Sequence, residues 1–316
     1  MTTLLEFKDL SKAWFGVPAV SDFSFAIRQG SIVGLVGQNG AGKSTLMNMI
    51  GGVVRPTSGS MEWRGKLYQP SGPAEARNTG IGFIHQELNL FTNLSIAENL
   101  FIDGFPRKRG LIDRAGMNKR ASDLLNRLSI EIEPATLVSQ LSPGERQLVE
   151  IAKVLHHDVD LIIFDEPTTS LTPREISRLF EIINALKRNG TTIIYISHIL
   201  GDVQKLADHV VVMRDGRLVD DGPTASFPIK RMIGSMIGRE LNGIYPERTS
   251  QPGTQVVLEV DKLSQPGVVE SISLRAHKRE ILGLFGLMGA GRSELARIIS
   301  VLIRMLRAQS ASMASL

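Results

Sequence analysis

A chain of 316 residues, 42 % of them apolar, has the length of one large or two ordinary domains and ample material for a buried core. It contains no cysteine, which excludes disulfides and thiolate-bound metals, and nowhere do 18 apolar residues follow one another, which speaks against a membrane-spanning helix. The formal net charge of +4 is scattered along the chain rather than gathered into one basic stripe, so no nucleic-acid partner is expected.

The first residues, Met1 to Lys8, lack the charged start, apolar core and small-residue cleavage site of a secretory leader, so a cytosolic protein is expected. Ser31 to Val36 form an apolar, β-branched run that predicts a buried strand, and Lys43 to Ile50 have helical composition. Between them residues 37–45 read GQNGAGKST, which fits G-x-x-x-x-G-K-[ST] at every fixed position. Gly37, Gly40 and Gly42 leave the backbone free to turn its N–H groups inward, and the helix that follows adds its positive dipole end, so the loop predicts a phosphate cradle. Lys43 would reach the β- and γ-phosphates, and Ser44 would ligate Mg²⁺.

Further along, Gln86 follows the apolar run Ile81 to His85 and is placed to touch metal and water. Residues from about 91 to 138 show few strand patterns, and the helical stretch Asn118 to Leu128 puts Ala121, Leu124, Leu125 and Leu128 on one apolar face. His85, His156 and His157 lack any metal-ligand spacing and read as ordinary surface or structural histidines. Asp160 to Asp165 form an apolar strand that stops at two carboxylates. In an open parallel sheet, ligands sit outside the carboxyl ends of the strands, so Asp165 and Glu166 would emerge beside the loop at 37–45. Asp165 can then hold Mg²⁺ through water, and Glu166 can polarise the water that attacks the γ-phosphorus. Thr191 to His198 repeats the pattern of buried strand and polar stop, with His198 able to donate to the same phosphate or water.

A Pro-, Gly- and polar-rich stretch at 241–254 predicts a linker, which divides the chain into a first domain at 1–240, with a helical subdomain at about 91–160, and a fragment at 255–316. The fragment repeats the start of the first domain. Leu5 to Ser11 returns as Leu258 to Ser264, and Ile32 to Gly37 returns as Ile281 to Gly286, followed by a second phosphate loop in which Arg292 stands where the first has Lys43. Arginine is bulkier and planar, so this copy is expected to bind nucleotide differently and hydrolyse it poorly. About 60 residues of a second copy leave its apolar faces without partners, and a truncation or frameshift after about Ser300 is suspected; the competing reading of the last helix is a basic amphipathic segment on a membrane surface.

In order and spacing these pieces resemble the ATP-binding subunits of ABC transporters, most closely the tandem-domain kind that powers bacterial import of ribose, galactose, arabinose or xylose. The resemblance implies an α/β P-loop NTPase of ABC type: a mixed core sheet, an antiparallel β subdomain and a helical subdomain, then the start of a second copy. It implies that the Walker A loop is Gly37, Gln38, Asn39, Gly40, Ala41, Gly42, Lys43, Ser44 and Thr45, that Gln86 is the Q-loop residue and a metal contact, that Asp165 ends Walker B, and that Glu166 and His198 are the catalytic glutamate and switch histidine. It further implies that Leu141 to Gln147 form the signature motif, with Ser142 and Gly144 on nucleotide, that Thr169 to Thr172 are the D-loop, and that Trp14 stacks on adenine. The signature departs from LSGGQ. Pro143 has no N–H to offer a γ-phosphate, and Glu145 puts a negative charge near that anion.

In such proteins one ATP with Mg²⁺ is clamped between Walker A of one domain and the signature of another. The resemblance therefore implies a second nucleotide-binding domain, in trans or as a homodimer, two membrane permease subunits, an indirect periplasmic sugar-binding partner and a peripheral place on the cytoplasmic face of the inner membrane. The rival expectations are an ABC-type ATPase with no permease, for which two Lys-bearing loops or a long coiled coil would be required, and a nucleotide-binding remnant without turnover. The sugar itself is not legible.

Overall fold

The computed structural model describes residues 2–85, 89–128, 130–169, 171–238, 253–286 and 289–301. The chain divides into two compact units, Met1–Leu241 and Asn242–Leu316.

The first unit begins with two long antiparallel strands, β1 (Thr3–Trp14) and β2 (Val17–Arg28), joined at Phe15 and Gly16. Both turn residues have positive φ, 50° and 83°, which is the two-residue turn whose twist matches a hairpin. Then come β3 (Ile32–Val36), α1 (Lys43–Ile50), β4 (Ser58–Trp63), β5 (Lys66–Tyr68), α2 (Pro73–Asn78) and β6 (Ile81–Ile84). The middle of the unit is mostly helical: α3 (Ile96–Leu100), a short hairpin of β7 (Arg107–Lys108) and β8 (Leu111–Ile112), α4 (Arg114–Arg127) and α5 (Pro143–Leu155). It closes with β9 (Leu161–Asp165), α6 (Pro173–Arg188), β10 (Thr192–Ile196), α7 (Leu200–Leu206), β11 (His209–Arg214), β12 (Arg217–Pro223) and α8 (Ile229–Ile237).

Six strands form the central sheet in the order β12-β11-β3-β10-β9-β6, all parallel except β12. The uninterrupted apolar runs of β3, β9 and β10 have the composition of strands covered on both faces, and alternate residues serve two cores. Ile32, Val36, Ile162, Phe164, Ile193 and Tyr195 face the core shared with α3 to α6. Val33, Leu35, Ile163, Ile194 and Ile196 face α1 and the antiparallel sheet β2-β1-β4-β5. Helix α4 buries Ala121, Leu124 and Leu125 of the expected apolar face together with Met117, while Leu128 caps the helix and packs half-buried on the same core; α6 buries Leu179, Ile182, Ile183 and Leu186.

In the second unit β13 (Val256–Gln265) and β14 (Val269–His277) pair as an antiparallel hairpin, and residues 292–301 are helical. The repeat predicts a strand at Ile281 to Phe285 to match β3. No strand forms there. Ile281 is 88 % and Phe285 99 % exposed, and among the described residues no strand lies alongside to supply the ladder that β10 and β11 supply to β3. The linker expected at 241–254 falls almost wholly outside the described residues.

Candidate nucleotide site

The carboxyl ends of three adjacent parallel strands define the site. β3 runs into the loop at 37–42, β10 into Ser197 and His198, and β9 into Asp165 and Glu166, with Ile196 in register with both Leu35 and Asp165. The sheet order therefore brings the loop at 37–42 to one edge with residues at 165–166 and 197–198, far from it along the chain.

The loop is built by its glycines. Gly37 leaves β3 so close to β11 that an added Cβ would lie 2.5 Å from the Met213 carbonyl oxygen. Gly42 caps α1 in the left-handed region, with φ of 96°, and a Cβ there would run into the Ala19 carbonyl oxygen of β2. Gln38, Asn39 and Gly40 are exposed on the rim, Ala41 is buried beneath it, and Ser44 and Thr45 lie in the first turn of α1, where the backbone N–H groups have no helical acceptor. Lys43 folds back over the loop, its Nζ donating to the Gly37 carbonyl at 2.7 Å and the Gln38 carbonyl at 3.1 Å.

The charges here are strained by proximity. Burial holds the Lys43 ammonium below the usual lysine range, and the carboxylates of Glu166 and Asp165 act against that shift. Burial pushes the Asp165 carboxyl up and the neighbouring Glu166 pushes it further, while His85 and Lys43 oppose them. Two acids and one ammonium thus feel one another at a half-buried edge, leaving net negative charge that a divalent cation would neutralise. Glu166 itself takes a positive φ of 48°, unusual for a residue with a side chain, held by its amide donating to the Ile196 carbonyl at 3.0 Å and by the Thr169 hydroxyl donating to its carbonyl at 2.6 Å. That turn aims the Glu166 carboxylate at His198, whose Nδ1 lies 3.1 Å from Oε2.

The structure gathers Lys43, Ser44, Asp165, Glu166 and His198 and leaves Ser142 and Gly144 elsewhere. These two line a groove between the starts of α5 and α6 with Thr172 and Glu175, and none of residues 37–45 borders it. Trp14 ends β1 as a 44 % exposed ring under the Lys12 ammonium, on the hairpin whose Ala19 packs against Gly42. Gln86 lies outside the described residues.

Comparison with known proteins decides the family. Residues 20–169 match the family model described as ABC transporter. A solved structure titled as the ATP-binding subunit of an ABC transporter is 30 % identical, with 78 % of this chain and all of that chain covered at a TM-score of 0.60. The chain belongs to the ABC transporter ATP-binding family. A putative ribose/galactose/methyl galactoside import ATP-binding protein of Agrobacterium fabrum is 42 % identical over 94 % of this chain and 59 % of its own. An arabinose import ATP-binding protein of Pseudomonas savastanoi pv. phaseolicola is 43 % identical over 95 % of this chain and 59 % of its own. The chain thus spans about three fifths of the length of these curated relatives.

Two features of this ABC cassette escaped the sequence. Glu145 has another place than that of a free charge beside an anion: its Oε2 accepts the Ser142 amide at 2.8 Å while the Ser142 hydroxyl accepts the Glu145 amide at 3.2 Å, a reciprocal cap with Pro143 in the first turn. The signal was S-x-x-E ahead of an apolar run. His85, set aside with His156 and His157, lies close enough to Asp165 to lower its proton affinity. It is the residue that follows β6, whose Ile84 is in register with Phe164, so sheet order alone puts it beside Asp165. His156 instead stacks edge-on against Phe101, and His157 lies 3.9 Å from the Asp103 carboxylate.

Proposed function

We propose that the first unit binds and hydrolyses MgATP and that the protein to which this chain belongs energises import of a monosaccharide through a membrane permease. The observation that carries the reading is the meeting of Lys43, Asp165 and Glu166 at one end of the central sheet, where each shifts the proton affinity of another or is shifted by it. The loop at 37–45 offers backbone donors and one ammonium to a triphosphate, and Trp14 offers a ring to the base. Ser44 and Asp165, with Gln86, would hold Mg²⁺, which when bound neutralises phosphate charge that Lys43 alone leaves uncompensated. Glu166 would orient and deprotonate the attacking water, and His198 keeps the carboxylate aimed through their shared contact.

Ser142 and Gly144 lie away from that edge, so they would serve a nucleotide held by another domain, either a second copy of this unit or the rest of a second cassette. The import-protein names of the relatives favour a pentose or hexose as cargo. Two permease subunits, a periplasmic binding protein and a peripheral place on the cytoplasmic face of the membrane are part of the same proposal. Among the described residues no helix is long and apolar enough to cross a membrane. We further propose the division into a nucleotide-binding domain at 1–240, a linker at 241–254 and the start of a second such domain from 255. Glu166→Gln tests the reading: MgATP binding is expected to persist while turnover in a complex reconstituted with permease falls by about 10²-fold or more. Equal turnover in parent and variant would overturn the role of Glu166, and absence of nucleotide binding would overturn the whole.

A further inference from the structure

Helices α5 and α6 begin side by side, each with a reciprocal cap: Ser142 with Glu145, and Thr172 with Glu175. The second cap does something the first does not. Glu175 Oε2 accepts the Thr172 amide and the Thr172 hydroxyl, both at 2.8 Å. The rest of its side chain lies across Gly144. A Cβ at 144 would sit 2.6 Å from Glu175 Cγ and would overlap Cδ and Oε1 outright. Gly144 does not have the positive φ that would call for glycine, so the demand for glycine there is steric and comes from Glu175. Because Thr172 holds the carboxylate by two bonds, the side chain cannot swing aside without uncapping α6.

The other end of this arrangement is Glu166. Its carbonyl accepts the Thr169 hydroxyl at 2.6 Å, and the Leu171 amide donates to the Thr168 carbonyl at 3.3 Å, bonds that hold the turn after Glu166 close to the α6 cap. We propose that Glu175 is a positioning residue: by occupying the side-chain place at Gly144 it ties the start of α5, with Ser142 and the Gly144 amide, to the turn that carries Glu166. Its consequence for turnover rests on the nucleotide reading above; the link itself does not. Through it the carboxylate that acts in one site is coupled to the serine offered to another.

Amide hydrogen exchange of the full chain, with melting temperature and MgATP turnover measured on the same samples, tests the link. Gly144→Ala is expected to raise exchange over residues 142–147 by about tenfold and to lower turnover by a similar factor. Gly144→Ala combined with Glu175→Ala frees the space and is expected to return both quantities to within about threefold of Glu175→Ala alone. Glu175→Gln keeps the bulk and an acceptor for Thr172, so it is not expected to rescue Gly144→Ala. Unchanged exchange in Gly144→Ala, or rescue by glutamine as complete as by alanine, overturns the proposal. Rescue of exchange in the double variant, where the parent chain neither binds nor turns over MgATP, would overturn the nucleotide reading and leave the Glu175–Gly144 link standing.

Discussion

Residues 32–50 and 281–301 carry nearly the same message and meet different fates. In both, the loop glycines behave alike: Gly40 and Gly42 have φ of 84° and 96°, and Gly289 and Gly291 have φ of 80° and 77°. In both, the first loop glycine lies against the alanine four residues on, Gly37 against Ala41 and Gly286 against Ala290, with 3.1 and 3.2 Å to an added Cβ. The last glycine lies against a hairpin in each, the Ala19 carbonyl of β2 in one and the Val268 carbonyl of the β13–β14 turn in the other. The strands part company. Val36 is 0 % exposed between β10 and β11, and Phe285 is 99 % exposed with no strand beside it among the described residues. A phosphate loop is thus coded locally, by glycines and one turn of helix, whereas a buried parallel strand exists only once sequence-distant neighbours pair with it.

The sharpest break between the two copies is expected in nucleotide affinity. Lys43→Ala should lower MgATP binding by about 10²-fold or more, because it removes the ammonium that the loop holds at the acidic edge, while Arg292→Ala should leave it within about twofold. Titration calorimetry on both variants checks this, and a larger loss from Arg292→Ala would reverse the assignment of the working site.

A stability comparison comes next. A Cβ on Gly34 would overlap Val203 and lie 3.0 Å from Ala207 Cβ, so Gly34→Ala should destabilise the first unit by about 2 kcal/mol. An added Cβ at the corresponding Gly283 meets nothing within 4 Å among the described residues, and Gly283→Ala should change stability by less than about 0.5 kcal/mol. Equal effects in denaturant melts would mean that residues 281–286 are packed after all.

A smaller effect separates function from stability within the first unit. Since the folded state holds the proton of Asp165 more tightly than the unfolded state does, this carboxyl destabilises the fold increasingly as pH rises through its raised pKa. Asp165→Asn should therefore be more stable than the parent at neutral pH, with the gap closing as pH falls towards the carboxylate range, and should lose Mg²⁺-dependent nucleotide binding. Chemical melts across that pH range check the sign. A parent more stable than the variant at neutral pH would contradict the electrostatics of this edge.

How much could be read in advance followed the same division between local and distant causes. The loop at 37–45, the strand stops at Asp165 and His198 and the apolar stripe of α4 were legible because each is carried by adjacent residues: a glycine pattern, an abrupt change of polarity, a helical period. The place of His85 was not, since it depends on β6 lying beside β9. Nor was the use of Glu145, where a charge was weighed against an absent phosphate while the local S-x-x-E cap went unread. The missing strand at 281–286 is the same lesson in reverse: the pattern of β3 is present, and among the described residues no strand pairs with it.

Calorimetric titration of the full chain with MgATP, repeated for Lys43→Ala and Asp165→Asn, tests the central claim most directly. One nucleotide per chain, abolished by either substitution in protein that still melts cooperatively, is the predicted result. Undiminished uptake by both variants, or none by the folded parent, would show that the lysine-bearing loop and the two carboxylates do not share a nucleotide.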